Sequence, residues 1–411
     1  MLRFLFPKTH RRLFSLPLLG PIADSFDDWL ASNGYTQISR KHVIRDLPHL
    51  DAELRLRHIK EISNLTVAVL HDCCGSFIPK HRRRAGRVRT LQRYLAENSL
   101  IVPGQSVTAT STGSILIEEY GHFLREVRGL VVPTISHHQY AARCFLQHLD
   151  SEGIRLKKIK ATHIESHIAK AGKRLSRATL QHEISAVRGF LRFLALDGRA
   201  PDGLGSQIDT PRLYRLEKLP RSLSWETVQA LLRSIDRTSA TGLRDYAMFL
   251  LIATYGLRSS EVVAITLDDL HWAQGCLRIH QRKTASPLEL PLTNEVSCAL
   301  VKHLERTPPA PYRRIFLRMY APIGALKPTA INGAFRFLVR KSGLRIPFQG
   351  PHCLRHSLAA HLLQKGTPLK TIGDILGHRT AESTSMYLRL ATGDLREVAL
   401  EIPRRDKEGQ C

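Results

Sequence analysis

Apolar residues recur with a helical period over most of the chain. Ile22, Phe26, Trp29 and Leu30 fall at i, i+4, i+7 and i+8 behind a polar Asp24-Ser25 start, and short amphipathic segments of this kind continue to about Leu95. The stretch from Pro103 to Gly113 keeps neither helical nor strand period and is rich in small polar residues, which marks a linker. From Ser114 the helical period returns. It is clearest at Leu180, Ile184, Val187, Leu191 and Leu194, one stripe through four turns. A second breaker-rich tract opens at Asp197-Gly198-Arg199-Ala200-Pro201 and runs to about Pro220. Beyond it Ser224 can cap a helix carrying Val228, Leu231, Leu232 and Ile235, with Glu226 in its first turn.

The remainder predicts a helix over about 243–254, a short strand at Cys276–His280, a polar turn, a second strand at Leu288–Leu292, and further helices to about Leu400. The resulting partition is a helical N-terminal region (1–102), a linker (103–113), a helical module (114–200), a linker (201–220), a C-terminal domain (221–403) and a loose tail (404–411). The expected fold is mainly α: helical N-terminal modules followed by a mixed α+β domain with a small antiparallel sheet.

Charge adds the first functional constraint. The 411 residues hold 61 Lys and Arg against 36 Asp and Glu, a net charge of +25, which implies a polyanionic partner. Six positive side chains lie between Lys80 and Arg89; such a run is commonly a solvated face, and the total charge favours phosphate contact. Arg174, Arg177, Arg188 and Arg192 lie among the apolar positions of the second module and would suit a DNA backbone or plain solvation equally. Seven cysteines, irregularly spaced and without CxxC pairs, indicate neither a disulfide framework nor a zinc ribbon, and a reducing, cytoplasmic setting fits them. Arg11-Arg12 before Leu13–Ala23 imitates a secretory signal, but Pro17 and Pro21 interrupt it, and no apolar run approaches the ~20 residues that cross a bilayer.

Four stretches of the C-terminal domain carry candidate chemistry. In Tyr255-Gly256-Leu257-Arg258-Ser259-Ser260-Glu261, Gly256 ends one helix and a serine starts another, which holds Arg258 at a junction where it suits a phosphate or simply pairs with Glu261. Gln281–Ser286 would carry Lys283 at a hairpin tip. Pro351-His352-Cys353-Leu354-Arg355-His356 opens a helix with an apolar stripe at Leu354, Leu358 and Leu362, leaving His352 and Arg355 together on another side. His352 and His356, four apart, with His361 nearby, also suggest a metal pair, but no further ligand at zinc spacing accompanies them, so no metal or other cofactor is expected. The last stretch is Leu376-Gly377-His378-Arg379-Thr380, followed by Tyr387 nine residues after the histidine.

The order Arg258, Lys283, His352-x-x-Arg355, His378, Tyr387 resembles the active-site set of the tyrosine recombinase (phage integrase) family. The resemblance covers the C-terminal domain, and the module at 114–200 resembles that family's SAM-like core-binding domain in length and position; the first hundred residues match only loosely the extra N-terminal region of some integrases. It implies a site-specific recombinase that cleaves and rejoins double-stranded DNA through a 3′-phosphotyrosine at Tyr387. Arg258 and Arg355 would clamp the phosphate and His378 would hydrogen-bond it. A basic histidine, foremost His352, would favour the phenolate. Lys283 would protonate the 5′ oxygen and Glu261 would orient Arg258. The resemblance further implies that the two modules close on DNA as a clamp and that four protomers assemble there, trading a C-terminal helix for which Leu395–Ile402 is the candidate. A type IB topoisomerase would share the chemistry without exchanging partners, and a non-catalytic architectural DNA-binding protein would lack it.

Overall fold

The computed structural model describes residues 2–77, 82–101, 112–214, 217, 219–280, 287–307, 311–348, 350–378 and 380–390. It divides into two compact units, one drawn from residues 1–7, 24–44 and 218–411 and the other from 8–23 and 45–217. The N-terminal region expected as a single segment is therefore shared between them. The expected linker at 103–113 lies almost wholly outside the described residues, and residues 391–403 of the expected C-terminal domain and the expected tail at 404–411 lie wholly outside them.

The unit of residues 8–23 and 45–217 is helical throughout. Its longest apolar stripe lies on the helix Arg177–Leu196, which Ser176 caps through a hydrogen bond accepted from the Thr179 N–H. Ile184, Val187, Phe190, Leu191 and Leu194 of that helix are buried against Tyr120, Phe145 and Leu149. Arg188, which the sequence left equally between a DNA backbone and plain solvation, donates to the Gly205 and Ile208 carbonyls and fastens the turn that follows the helix. Part of the basic run is likewise used internally: Arg84 and Arg87, on the helix Arg82–Glu97, both face the buried carboxylate of Asp46, while Arg89 is exposed. Residues 10–22 form a short helix, His10–Phe14, and a series of turns. Those turns are tied down by Asp51. Its fully buried carboxylate accepts the Leu18 and Leu19 N–H groups at 2.9 and 2.8 Å and pairs with Arg55 at 3.0 Å.

In the other unit, residues 24–44 form part of the same body as the C-terminal domain. The carbonyl of Asn33 accepts the Ile323 N–H at 3.2 Å, and Gly34, at φ 79°, packs so closely on Ile323 that a Cβ would come within 2.7 Å of its side chain. The C-terminal domain is built on α2 (Ala240–Tyr255), whose residues from Tyr246 to Ala253 are all buried, the pattern of a helix enclosed on every side. Around it lie α1 (Trp225–Arg233), α3 (Ser259–Val262), α4 (Asn294–Glu305), α5 (Pro328–Ser342), α6 (His352–Gln364), α7 (Leu369–Leu376) and α8 (Ala381–Ser385). Ser224 caps α1 as expected, accepting from Thr227 N–H.

The sheet is antiparallel in the order β1 (Leu270–His271), β2 (Cys276–His280), β3 (Pro287–Pro291). Leu277 and Ile279 point into the core while Arg278 pairs outward with Glu289 across the strands. The two-residue β1 was not anticipated, because two residues are too few to show alternation. Among the described residues no helix is long and apolar enough to cross a membrane.

Replacing Asp51 by Ala strands two buried N–H groups, each costing about 1–3 kcal/mol. Urea unfolding of the Asp51→Ala protein should show a loss of about 2–5 kcal/mol in the transition of this unit. A loss below about 0.5 kcal/mol would mean the carboxylate does not hold the N-terminal turns.

Candidate active site

The site forms where α2, α6 and α7 end or begin. Gly256 closes α2 in the left-handed conformation, with φ 64°, and a Cβ there would lie 2.4 Å from Leu376 on α7. Two residues later Arg258 takes the cap position of α3. Its N–H and its guanidinium both reach Glu261, at 2.7 Å each, and Glu261 is buried. The two readings of this stretch, ion pair and oriented phosphate ligand, are therefore compatible: the pair fixes the guanidinium, which stays partly exposed.

Arg355 lies one turn into α6 and is only 2% exposed. Its guanidinium donates to the Gly256 carbonyl and, at 2.7 Å, to the Leu376 carbonyl, so one cation joins the C-terminal ends of α2 and α7. The sequence pattern placed Arg355 off the apolar face of α6. In the structure nearly every residue from Cys353 to Ala360 is buried, because α6 packs on several neighbours at once. Burial and the nearby Arg258 lower the Arg355 pKa to about 10, which leaves it charged at neutral pH.

Gly377, at φ 61°, ends α7 and turns the chain so that His378 follows directly. The His378 N–H donates to the Gly373 carbonyl, and its Nδ1 lies 2.9 Å from the Thr384 hydroxyl. Tyr387, in the short 3-10 turn Met386–Leu390, is 1% exposed. Its ring lies parallel to that of His378, and its hydroxyl points into the cluster, 2.9 Å from Nδ1 of His356. His352 meets His356 edge to face with ring centroids 4.6 Å apart.

Electrostatics tie the group together. Burial pushes the Tyr387 phenol up, and Arg355 and Arg258 pull it partly back. Burial, reinforced by His352, Arg355, His378 and Arg221, lowers His356 to about 4. His378 falls to about 4 through burial and the charges of Arg355, Arg258 and His352. At neutral pH Tyr387 is therefore protonated and His356 neutral, and the two share a hydrogen bond. Arg258, His352, Arg355, His378 and Tyr387 thus share one locality with Glu261 behind them, whereas Lys283 lies outside the described residues. His356 and Thr384 were not among the expected site residues. His356 was visible as the i+4 neighbour of His352, but only as half of a metal pair; Thr384 gave no signal.

A sequence profile of the phage integrase family matches residues 221–393, and one of the phage integrase N-terminal SAM-like domain matches 117–198. The chain is 30% identical over 405 residues to a protein named integrase/recombinase y4rA of Sinorhizobium fredii, covering 95% of this chain and 96% of that one. It belongs to the phage integrase family. Tyrosine recombinase XerD of Listeria monocytogenes is 30% identical to this family member over 292 residues, 69% of this chain and 96% of XerD. Among solved structures, the XerH site-specific recombinase bound to its difH substrate has a TM-score of 0.53 at 20% identity, covering 68% of this chain and 83% of that one. A lambda integrase dimer bound to a COC′ core site has a TM-score of 0.53 at 17% identity, covering 67% and 94%. At those identities the likeness is one of fold, and it extends to the small antiparallel sheet of an otherwise helical recombinase.

His303, in the core of this unit away from the cluster, is fully buried, stacks on Phe316 and lies 3.1 Å from the Ile315 carbonyl through its Nε2; burial lowers it to about 4. Below the free imidazole value of ~6.5 the unfolded chain binds protons that the folded state refuses, so stability falls as pH drops from ~6.5 toward 4 and is fully present above ~6.5. For His303 the slope is about 1.4 kcal/mol per pH unit, and less for the partly solvated His356 and His378. Urea melts of wild type and His303→Gln between pH 7.5 and 4.5 should show a shallower slope in the variant; equal slopes would exclude the buried neutral imidazole.

Proposed function

We propose that the chain is a site-specific recombinase that cuts and reseals double-stranded DNA through a 3′-phosphotyrosine on Tyr387. The observation that carries this is the Tyr387 hydroxyl, held 2.9 Å from His356 in a cluster shared with Arg258, Arg355 and His378. Attack on phosphorus adds charge to the non-bridging oxygens, and two guanidinium groups fixed before substrate arrives stabilise that charge without reorganising. Glu261 and the carbonyls of Gly256 and Leu376 do the fixing. The phenolic proton leaves toward a histidine, with His356 nearest in the resting site and His352 beside it. The 5′ oxygen departs as an alkoxide unless protonated, and family resemblance gives that task to Lys283. Because the phosphotyrosine keeps the energy of the broken bond, resealing draws on no nucleotide.

In this reading residues 114–200 are the core-binding domain and 221–403 the catalytic domain, working on DNA in the cytoplasm. Four protomers would assemble on two duplexes and exchange a C-terminal helix, with Leu395–Ile402, outside the described residues, as the exchanged segment. The net charge of +25 supports a polyanionic partner, bound with an affinity that falls steeply with salt.

The DNA flanking the gene, supplied as nicked duplexes and quenched with detergent, should trap a covalent protein–DNA adduct with wild type and none with Tyr387→Phe. Equal DNA binding without an adduct in either protein would point to an architectural role, and relaxation without strand exchange to a topoisomerase. Arg258→Ala and Arg355→Ala should bind DNA and lose about 10²- to 10³-fold or more in adduct formation; near-normal rates in either would overturn the clamp. Lys283→Ala should regain activity on a 5′-bridging phosphorothiolate, whose sulfur leaves without a proton. No rescue would remove the general-acid role.

A further inference from the structure

Thr384 is 1% exposed, and its hydroxyl lies 2.9 Å from Nδ1 of His378. The hydroxyl also packs against the bare Cα of Gly373, where an added Cβ would come within 3.0 Å of it. Gly373 thus serves His378 twice: its carbonyl accepts the His378 N–H at 2.9 Å, and its missing side chain leaves room for the threonine that meets the ring.

A buried hydroxyl must direct its proton to an acceptor. Among the described residues the side-chain partner of Thr384 is Nδ1 of His378, so the threonine donates and Nδ1 accepts. The reverse arrangement, with Nδ1 carrying the proton, would bury the threonine hydrogen without a partner, at a cost comparable to a lost hydrogen bond. A neutral imidazole whose Nδ1 accepts must carry its proton on Nε2. Nε2–H is the form that donates to a phosphate oxygen, whereas the other tautomer would present a lone pair to an anion.

We propose that Thr384 is a positioning residue that locks His378 in the Nε2–H tautomer, ready to donate to the scissile phosphate. This rests on the recombinase reading above. It also identifies a tie between two members of the site, since Thr384 stands on α8 three residues before Tyr387, which lies in the 3-10 turn that follows directly.

The test compares Thr384→Val, which keeps the shape and loses the donor, with Thr384→Ser, which keeps the donor. Histidine-selective 15N labelling of the full chain, with the His378 signal assigned through His378→Gln, reads the tautomer without DNA. Wild type and Thr384→Ser should show His378 protonated on Nε2, and Thr384→Val a mixture. On nicked duplex that wild type converts to a Tyr387 adduct, Thr384→Val should be slower by about 10-fold or more at unchanged DNA affinity, with Thr384→Ser within about twofold of wild type. A wild-type His378 protonated on Nδ1, or a Thr384→Ser as slow as Thr384→Val, would overturn the proposal. If wild type formed no adduct with any DNA, the recombinase reading would fail, and the nitrogen spectrum would still decide whether Thr384 sets the tautomer.

Discussion

The site depends on one buried cation. A guanidinium 2% exposed is tolerable only where its donors are occupied and negative potential surrounds it, and Arg355 finds both at the last carbonyls of two helices. Helix C-termini carry unsatisfied carbonyls and the negative end of the macrodipole, so the ends of α2 and α7 form a ready cation site. The left-handed glycines Gly256 and Gly377 expose those carbonyls by stopping each helix within a residue of the contact. The same two glycines release the chain into Arg258 and His378. A single set of helix terminations therefore seats one arginine and presents the next two site residues.

Burial and this concentrated positive charge together set the protonation of the other groups in the cluster. Arg258 and Arg355 repel, and Glu261, buried behind Arg258, relieves that repulsion. His356 and His378, lowered first by burial and then by these charges, stay neutral, which keeps them as hydrogen-bond partners in place of added cations. The phenol of Tyr387 is pulled in opposite directions, burial keeping its proton and the arginines favouring its loss, with burial ahead in the resting site. An incoming phosphate would change that balance by bringing a negative charge beside both fixed guanidinium groups, and by raising the affinity of the histidines for a proton.

Much of this was legible beforehand where chemistry and local structure coincide. The Ser224 cap, the stripe from Ile184 to Leu194 and the strand Cys276–His280 follow from periodicity and capping, and the ordered set from Arg258 to Tyr387 marked the family. What the pattern could not give was tertiary. Arg355 reads as a surface position on an amphipathic helix, yet the ends of α2 and α7 bury it. His356 met Tyr387 across 31 residues of chain, a contact no local spacing encodes. Residues 24–44 belong to the same body as the C-terminal domain, and the contacts that Asn33 and Gly34 make there, through a carbonyl and a bare Cα, leave no mark in the periodicity.

Net charge needs the same distinction between count and placement. Of the cations that make the chain basic, Arg84 and Arg87 neutralise Asp46, Arg188 secures a turn, and Arg40 pairs with the fully buried Asp27. These hold the fold and offer little to an external polyanion, because their donors already have acceptors. Arg174 and Arg192 differ in kind: both are exposed on the helical module, one ahead of the helix Arg177–Leu196 and one on it. A long-range field from +25 would draw a polyanion in regardless of which cation supplies it, whereas register on a duplex would be set by side chains whose donors remain turned outward. The basic character read from composition is therefore a statement about encounter, and the placement of individual arginines is what separates encounter from the geometry at Tyr387.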